Sequence, residues 1–397
     1  MPAKTTKTAK SHSRTSHAGP GLYLHVPFCR AKCRYCAFSS QVFTMEAAAI
    51  YQRAVIAEIK LRRATHPDLR PATLYIGGGT PSMLPAWAME PIVRELAKSF
   101  AFAPGMEFTV EANPDSLDLQ TAGNLIRLGA NRLSLGIQSL SDETLELLGR
   151  PHTAKQAVLA YAAARQAGFS NVSVDMIFGL PGQRLRLWLD SLRRVIRMRP
   201  EHLSCYGLTL EPATPLAAMA DSGEIALPGE DEQAKMFLNG GELLEDSGYL
   251  QYEISSFCRM GYQSRHNLNY WEGGDYLGLG PSAVSTMSGA RWENPGVLAA
   301  YAKAAQTGAL GRESAPLSRQ DAAREKLMLG LRMTRGLSIK DYNAATGADL
   351  LRRNAAVIQA LRQHELIRIR NGHLRLSRAG MLVSNTIIER LMPTFDN

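Results

Sequence analysis

A chain of 397 residues is longer than one ordinary domain, so we expect two or three packed units. Its 45% of apolar and 20% of charged residues are typical of a globular protein, and no apolar run approaches the roughly 18 residues that span a bilayer. The formal charge of +9 admits an anionic partner, but no block of Lys and Arg alternates with aromatic residues, so we expect no nucleic-acid partner.

The amino-terminal segment and the cysteines indicate the compartment. Residues 1–20 contain scattered Lys, Ser and Thr, no acid, and neither the apolar core of a signal peptide nor the Arg-rich face of a transit peptide. We expect them to form a disordered tail. Three of the five cysteines lie within eight residues, which is a poor disulfide framework and favours metal binding in a reducing cytosol. We therefore expect a cytoplasmic protein.

Short β-rich runs alternate with amphipathic helices over the first half of the chain. The alternation predicts parallel βα units, arranged either as an open doubly wound sheet or as a partly closed barrel; periodicity alone does not choose between them. The predicted strands are residues 22–26, 73–76, 107–111, 132–138, 171–178 and 202–210. The predicted helices are residues 45–65, 86–100, 117–129, 154–168 and 185–198.

The second half of the chain changes character twice. Residues 210–227 are rich in Pro and Ala and predict a loop, residues 230–246 predict a helix, and residues 249–294 are dense in glycine and aromatic residues. We expect one α/β unit over residues 21–247 and an extension of different character over residues 248–315.

The last unit, residues 316–397, is predicted to be a winged-helix-like α+β domain. Helices are expected at 320–332, 339–346 and 350–363, and Asn371-Gly372 predicts a hairpin between strands 367–370 and 373–376. Ser377 would cap a last helix that ends at Leu391. Such a unit could also read DNA through a basic face, but Arg352, Arg353 and Arg362 are explained equally well as a solvated helix face.

The segment Cys29-Arg-Ala-Lys-Cys33-Arg-Tyr-Cys36 follows the first predicted strand, where parallel α/β folds place their sites. Three thiolates on one loop can bind a cubane iron–sulfur cluster and leave the fourth iron open for another ligand. The alternative is a zinc site with His25 as the fourth ligand, although zinc sites commonly use two separate ligand pairs. Cys205 and Cys258 stand alone and are expected to be small buried side chains.

The cysteine spacing, with Tyr35 before the last cysteine, resembles that of the radical S-adenosylmethionine superfamily. The preceding Tyr23-Leu-His25-Val-Pro-Phe resembles the branch that contains the oxygen-independent coproporphyrinogen III oxidases and the haem chaperones. The resemblance extends from about Gly21 to the carboxy-terminal unit. It implies an α/β fold with a partial (β/α)6 barrel, a 4Fe–4S cluster on Cys29, Cys33 and Cys36, and S-adenosylmethionine as a second cofactor.

Polar and glycine residues at the ends of successive strands indicate where that cofactor would bind. Gly77-Gly-Gly79-Thr80 ends the second strand, where bare backbone lets a ligand approach closely, although a tight turn would explain it as well. The resemblance implies that this turn holds the methionine amino group and that Arg150 pairs with the carboxylate. The complete set implied for S-adenosylmethionine is Tyr23, Tyr35, Gly78, Gly79, Thr80, Glu111, Gln138, Arg150 and Asp175.

Several positions favour the chaperones over the oxidases within this branch. The oxidases carry a further cysteine two residues after the third one, where this chain has Phe38, and a Tyr-Ala motif where it has Tyr206-Gly207. Residues 208–216 resemble a segment of the chaperones, and His266-Asn-Leu-Asn-Tyr270-Trp271 resembles the chaperone motif HNxxYW. The coproporphyrinogen oxidase activity stays open as the alternative.

The resemblance implies that His266 ligates haem iron and that Tyr270 and Trp271 shape the haem pocket. Taken without the resemblance, His266 would be read as a core histidine in an aromatic cluster. Many chaperones have Gly-Ala-His-Ser shortly afterwards, whereas this chain has Ser-Ala-Val284-Ser and so lacks that second histidine. His152 or Cys258 would then be the next candidate ligands.

Together these patterns predict a haem chaperone that binds a 4Fe–4S cluster, S-adenosylmethionine and haem. It would deliver haem to acceptor proteins, membrane-associated ones among them, and would be a monomer or a cluster-dependent dimer.

Overall fold

The computed structural model describes residues 19–311 and 317–392, so the predicted tail lies outside the described residues except for Gly19 and Pro20. Six parallel strands form the centre of an eleven-stranded sheet. Each strand pairs with the next one along the chain, whereas a doubly wound sheet would reverse its order at a switch point. The α/β fold is therefore confirmed, and its strand order is that of the partial barrel. The strands are β1 (Gly21–Val26), β2 (Thr73–Gly78), β3 (Glu107–Ala112), β4 (Arg132–Gln138), β5 (Val172–Phe178) and β6 (His202–Gly207).

The helices that connect these strands begin where polar caps are placed. Thr44 accepts a hydrogen bond from the Ala47 N–H at the start of the first helix, and Thr153 forms a capping box with Gln156. The five predicted helices are confirmed to within two residues at each end, while a short helix capped by Ser141 was missed. The helices are α1 (Met45–Thr65), α2 (Ala86–Ser99), α3 (Leu119–Arg127), α4 (Asp142–Leu147), α5 (Ala154–Ala167) and α6 (Leu185–Met198).

The prediction of an uninterrupted loop over residues 210–227 was wrong, because a helix, α7 (Pro215–Asp221), lies inside it. Thr214 accepts a hydrogen bond from the Ala217 N–H, and Pro215 occupies the first helical position, where its missing N–H costs nothing. The Thr-Pro start signal therefore outweighs the loop-like composition. The chain then continues into α8 (Glu230–Asp246), as predicted.

Residues 250–293 extend both edges of the barrel sheet. Two antiparallel strands are added beside β6, and three strands are added beside β1, of which the first is parallel to it. One continuous apolar core runs from Leu22 to Leu310, so the extension packs directly on the barrel. The elements are β7 (Leu250–Gln251), β8 (Ser256–Cys258), α9 (Arg265–Trp271), β9 (Tyr276–Leu279), β10 (Val284–Met287), β11 (Ala290–Glu293) and α10 (Leu298–Thr307).

The carboxy-terminal unit has its own apolar core and a three-stranded sheet. The predicted hairpin is confirmed, but the two long predicted helices are each divided, at Asn354 and at Val383. The Thr334 hydroxyl donates to the Tyr252 carbonyl and ties the unit to the barrel. No helix of the described residues is long and apolar enough to cross a membrane. The elements are α11 (Arg319–Arg332), β12 (Leu337–Ser338), α12 (Ile339–Thr346), α13 (Leu350–Arg353), α14 (Ala355–Gln363), β13 (Ile367–Arg370), β14 (His373–Leu376), α15 (Arg378–Leu382) and α16 (Ser384–Leu391).

Candidate functional site

The cysteine loop leaves β1 at the carboxyl edge of the barrel. The Cys36 N–H donates to the Cys33 carbonyl at 3.1 Å, which closes a turn between these two cysteines. Burial raises the pKa of the Cys36 thiol, and the nearby Cys33 and Cys29 raise it further. Three cysteines this close together are a costly arrangement as thiolates without a cation, because their negative charges repel. A cluster of iron ions would relieve that repulsion, so the three residues fit the predicted cluster.

His25 does not complete a zinc site in this structure. Its Nε2 is hydrogen-bonded to the Ser39 carbonyl at 2.8 Å and its Nδ1 to the Tyr23 hydroxyl at 3.0 Å. Among the described residues, no group of three His, Cys, Asp or Glu is close enough to hold a single metal ion. The thiolates of a cubane bind different irons and therefore do not need to converge on one ion. The positions of these side chains favour the cluster over the zinc alternative.

The glycine turn at the end of β2 differs from its prediction in one respect. The N–H groups of Gly78, Gly79 and Thr80 already donate to Glu111, to the Val26 carbonyl and to the Phe28 carbonyl. A Cβ at Gly79 would lie 2.5 Å from the Phe28 oxygen, so this glycine is required for close backbone packing beside the cysteine loop. A methionine amino group is a hydrogen-bond donor, and the turn would have to accept it through carbonyl oxygens.

Glu111 and Asp175 lie inside the barrel on neighbouring parts of the sheet. Glu111 accepts hydrogen bonds from the Tyr75 hydroxyl at 2.7 Å and from the Gly78 N–H at 3.0 Å. Burial raises the pKa of Glu111 to about 7, against the lowering effect of the Tyr75 hydrogen bond. Burial also raises the pKa of Asp175, which accepts from the Ser134 hydroxyl at 3.0 Å. A cationic ligand would favour the charged form of both carboxyls.

Two predicted residues carry buried polar atoms that have no hydrogen-bond partner. Gln138 ends β4 with a φ of 66°, and its Oε1 is buried and unpartnered. Arg150 donates to Cys33 Sγ at 3.5 Å, to the Gly136 carbonyl at 2.7 Å and to Asn113 Oδ1 at 2.9 Å, but its Nε is buried and unpartnered. Buried polar atoms without partners are rare in folded proteins, and they indicate a place for a bound ligand. They fit S-adenosylmethionine, which offers both donors and a carboxylate.

Tyr35 joins the cysteine loop to this group. It lies beside Arg150, Cys33 and Cys36, and burial raises its pKa to about 12 although Arg150 lowers it. The Thr80 hydroxyl donates to Cys29 Sγ at 3.7 Å and thus links the glycine turn to the cluster loop. The residues predicted for the cluster and for S-adenosylmethionine are therefore brought together at one edge of the barrel.

Three buried or partly buried residues of the barrel were not predicted from the sequence. Asn113 connects Arg150 to Thr80, since its amide donates to the Thr80 hydroxyl at 2.9 Å, and its position two residues after Glu111 was a usable signal. Tyr75 binds Glu111 from within β2. Arg132 is 1% exposed, and its Nε and Nη1 have no partner among the described residues. A charged residue at the start of a strand is ordinarily a solvated end, so its sequence gave no sign of burial.

The residues predicted for haem are placed differently from the cluster. His266 is 1% exposed at the amino edge of the barrel, where its Nδ1 is hydrogen-bonded to the Thr73 hydroxyl at 2.7 Å and its Nε2 to the Tyr270 hydroxyl at 3.0 Å. Burial lowers the pKa of His266 to about 3, helped by Arg132. Both nitrogens are engaged, so iron ligation would require these contacts to break; the geometry favours the core-histidine interpretation.

Of the other haem candidates, one lines an open cavity and the rest do not. Tyr270 lines a cavity that is described below, whereas Trp271 is half-buried in α9 and is not among the described residues that line it. The His152 Nε2 is hydrogen-bonded to the Ile137 carbonyl at 3.1 Å, and burial lowers the pKa of His152 to about 4. Cys258 is 1% exposed within β8. Both residues are buried and so are closed to a bulky macrocycle in this conformation, although the His152 Nδ1 has no hydrogen-bond partner among the described residues.

A sequential parallel barrel with a three-cysteine loop at its carboxyl edge defines a protein of the radical S-adenosylmethionine type. The chain matches the family model of the radical SAM superfamily over residues 23–195 and that of the HemN C-terminal domain over residues 317–383. Haem chaperone HemW of Bacillus subtilis is 33% identical over 92% of this chain and 97% of its own length. The chain belongs to this HemW family within the radical SAM superfamily.

Other relatives agree with that assignment. Haem chaperone HemW of Escherichia coli is 38% identical over 66% of this chain and 68% of its own length. The mouse mitochondrial protein named radical S-adenosyl methionine domain-containing protein 1 is 37% identical over 66% of this chain and 59% of its own length. The crystal structure of coproporphyrinogen III oxidase (HemN) from Escherichia coli covers 96% of this chain and 91% of its own, with a TM-score of 0.80 and 23% identity. That likeness confirms the fold.

Proposed function

We propose that this protein is a haem chaperone that binds a 4Fe–4S cluster on Cys29, Cys33 and Cys36, holds S-adenosylmethionine beside it, and carries haem to acceptor proteins. Two relatives that share nearly its full length are named haem chaperones, which supports haem as the molecule that it carries. In radical SAM enzymes the two cofactors supply a 5′-deoxyadenosyl radical when the cluster is reduced. In this chain Arg150 would bind the cofactor carboxylate, and Gln138, Glu111 and Asp175 would bind its remaining polar groups.

The observation that carries the haem proposal is a cavity of about 520 Å³, which is lined in part by three of the residues proposed for S-adenosylmethionine, so the two ligands would share it. It begins at Tyr23, Gly78 and Glu111 and extends outward between the cysteine loop, the strands β9 to β11 and helix α11. This volume lies within the range of pockets that hold large organic ligands, about 300–1,000 Å³. Part of its lining is apolar or aromatic, as a flat macrocycle requires, and is formed by Phe38, Tyr270, Tyr276, Val284 and Leu329; polar and charged residues, Arg291 and Glu325 among them, form the rest.

Val284 provides a direct test, because it lines this cavity at the position where many chaperones have a histidine. Val284→His should place an imidazole against the haem, raise haem affinity by about tenfold and produce a histidine-type Soret spectrum. Met260→His is the matched control, since Met260 is 83% exposed and lies outside the cavity. An unchanged spectrum in Val284→His, with the cluster intact, would place the haem elsewhere.

The alternative function is oxidative decarboxylation of coproporphyrinogen, and the same fold supports it. Phe38 stands where the oxidases have a further cysteine, and Tyr206-Gly207 where they have Tyr-Ala. We expect protein reconstituted under anaerobic conditions to bind haem and to form no protoporphyrinogen from coproporphyrinogen. Steady formation of protoporphyrinogen would favour the oxidase instead, and a haem titration on the same sample separates the two functions.

A further inference from the structure

An ion pair crosses the outer wall of the cavity. Arg291, on β11 of the barrel extension, and Glu325, on α11 of the carboxy-terminal unit, both line it, and Arg291 Nη2 lies 2.6 Å from Glu325 Oε1. The Arg291 Nε donates to the Thr286 hydroxyl at 3.0 Å, which fixes the plane of the guanidinium. The side chains of Arg291 and Glu325 remain 35% and 28% exposed, so a ligand that enters the cavity can reach both.

The guanidinium of Arg291 is therefore oriented to bind a carboxylate, and in this structure it binds that of Glu325. Haem carries two propionates on one edge of its macrocycle, and an arginine is the side chain whose geometry suits such a group. When one carboxylate replaces another on Arg291, the charged hydrogen bonds are exchanged rather than lost. The displaced Glu325 side chain remains partly in contact with water and bears a small penalty for leaving the pair.

We propose that Arg291 binds a haem propionate and that Glu325 is its built-in competitor, so that haem binding releases α11 from the barrel extension. The inference rests on the proposed haem function and adds a means of hand-over to it. Return of Glu325 to Arg291 displaces the propionate, and loss of the propionate loosens the macrocycle. Haem occupancy and the docking of α11 at this contact thus oppose each other.

The release concerns this one contact, because other contacts hold the carboxy-terminal unit to the barrel. Arg335 lies 3.2 Å from Glu272, and Arg378 lies 2.6 Å from Glu245. Neither Arg335 nor Glu272 lines the cavity. Glu272→Gln therefore breaks a comparable ion pair between the same two parts of the molecule without changing the propionate receptor, which makes it the matched control.

The test is a haem titration of the full-length protein with its cluster reconstituted, followed by Soret absorption. Arg291→Gln should weaken haem binding by about tenfold or more, since a charged hydrogen bond is lost. Glu325→Gln, which keeps the shape of the side chain, should instead strengthen it by about three- to tenfold, because the competitor loses its charge. Glu272→Gln should leave the affinity within about twofold of that of the parent.

A second ligand separates a propionate contact from a general effect on folding. The dimethyl ester of haem lacks the charged carboxylates, so the parent protein and Arg291→Gln should bind it equally. Equal haem affinity of the parent, Arg291→Gln and Glu325→Gln would overturn the inference while leaving haem binding in place. Failure of the parent protein itself to bind haem would overturn the proposed function, and the two failures are thereby distinguished.

Discussion

The two edges of the barrel use polar side chains in opposite ways. At the carboxyl edge, Gln138 and Arg150 each bury an atom that has no partner among the residues that the structure describes. At the amino edge, His266 has partners on both ring nitrogens, and its backbone N–H donates to Glu107 at 3.0 Å. Open hydrogen-bonding capacity indicates a ligand site, and saturated capacity indicates a structural role. The histidine that sequence resemblance assigns to haem thus has no free ring nitrogen, whereas Tyr270 of the same motif also lines the cavity.

Arg132 is one exception at the amino edge, because two of its buried nitrogens have no partner among the described residues. Its effect is electrostatic. It opposes burial, which raises the pKa of Glu111 and of Asp175, and it adds to burial in lowering the pKa of His266. A buried positive charge favours carboxylates and a neutral imidazole at the same time. Arg132 therefore favours the ionised forms of Glu111 and Asp175.

The largest effect that would test this contrast is the loss of the cluster. Cys33→Ala removes one of three thiolate ligands, so iron should fall from about four atoms per chain to near zero after anaerobic reconstitution. Iron analysis and the charge-transfer absorption of the cluster measure this loss. Cys258→Ala, which removes a lone buried cysteine, should retain its iron. Full iron content in Cys33→Ala would mean that the loop does not ligate the cluster.

The next largest effect is a loss of stability at the amino edge. His266→Ala leaves the Thr73 and Tyr270 hydroxyls without their partner and opens a cavity, so the free energy of unfolding should fall by about 3 kcal/mol. Haem affinity should change by less than about threefold if the cavity near Arg291 is the haem site. Urea unfolding and haem titration of the same variant give the two values.

His364→Ala serves as the control for His266→Ala, because His364 is exposed on the carboxy-terminal unit. Its stability and haem affinity should match those of the parent. If His266→Ala loses haem and its Soret band while its stability is unchanged, His266 is the haem ligand and the amino edge must open to admit it.

The sequence allowed the fold and the carboxyl edge to be predicted because their signals are local. Glycine and polar residues at strand ends, caps such as Thr44 and the cysteine spacing depend on a few adjacent residues. The residue types around His266 suggested a core histidine, but its partner Thr73 could not be predicted, since it lies 193 residues away. The burial of Arg132 and the Arg291–Glu325 pair likewise depend on tertiary contacts that no periodicity encodes.

A smaller effect should appear in cofactor affinity at the carboxyl edge. Arg150→Met removes the donor at Nε and the charge that would pair with the carboxylate of S-adenosylmethionine, so affinity should fall by about 10- to 100-fold. Equilibrium dialysis with reconstituted protein measures it. Arg30→Gln is the control, because Arg30 is an exposed arginine of the cysteine loop that pairs with the buried side chain of Asp115. Equal losses in both variants would indicate a general electrostatic effect instead of a specific contact.

The smallest expected effect compares two glutamates near opposite ends of one strand, β3. Glu107 begins β3, where it accepts the backbone N–H groups of Arg265 and His266, and Glu111 lies near its carboxyl end. Burial raises the pKa of Glu111 to about 7. S-adenosylmethionine is a cation at its sulfonium, so it binds the charged carboxylate better than the neutral acid. Affinity should therefore be constant above about pH 7 and fall by up to tenfold per pH unit below it.

Glu111→Gln should remove this pH dependence, because an amide does not titrate, and its affinity should lie below that of the parent at high pH. Glu107→Gln changes the same side chain at the other edge, so it should lower stability but keep the parental pH profile. Dialysis between about pH 6 and pH 8 at constant ionic strength compares the three proteins. Any titration of the ligand itself is common to all three and cancels in the comparison. If Glu111→Gln retains the decline below pH 7, another group binds the cation, and Asp175 is the next carboxylate to replace, because burial raises its pKa as well.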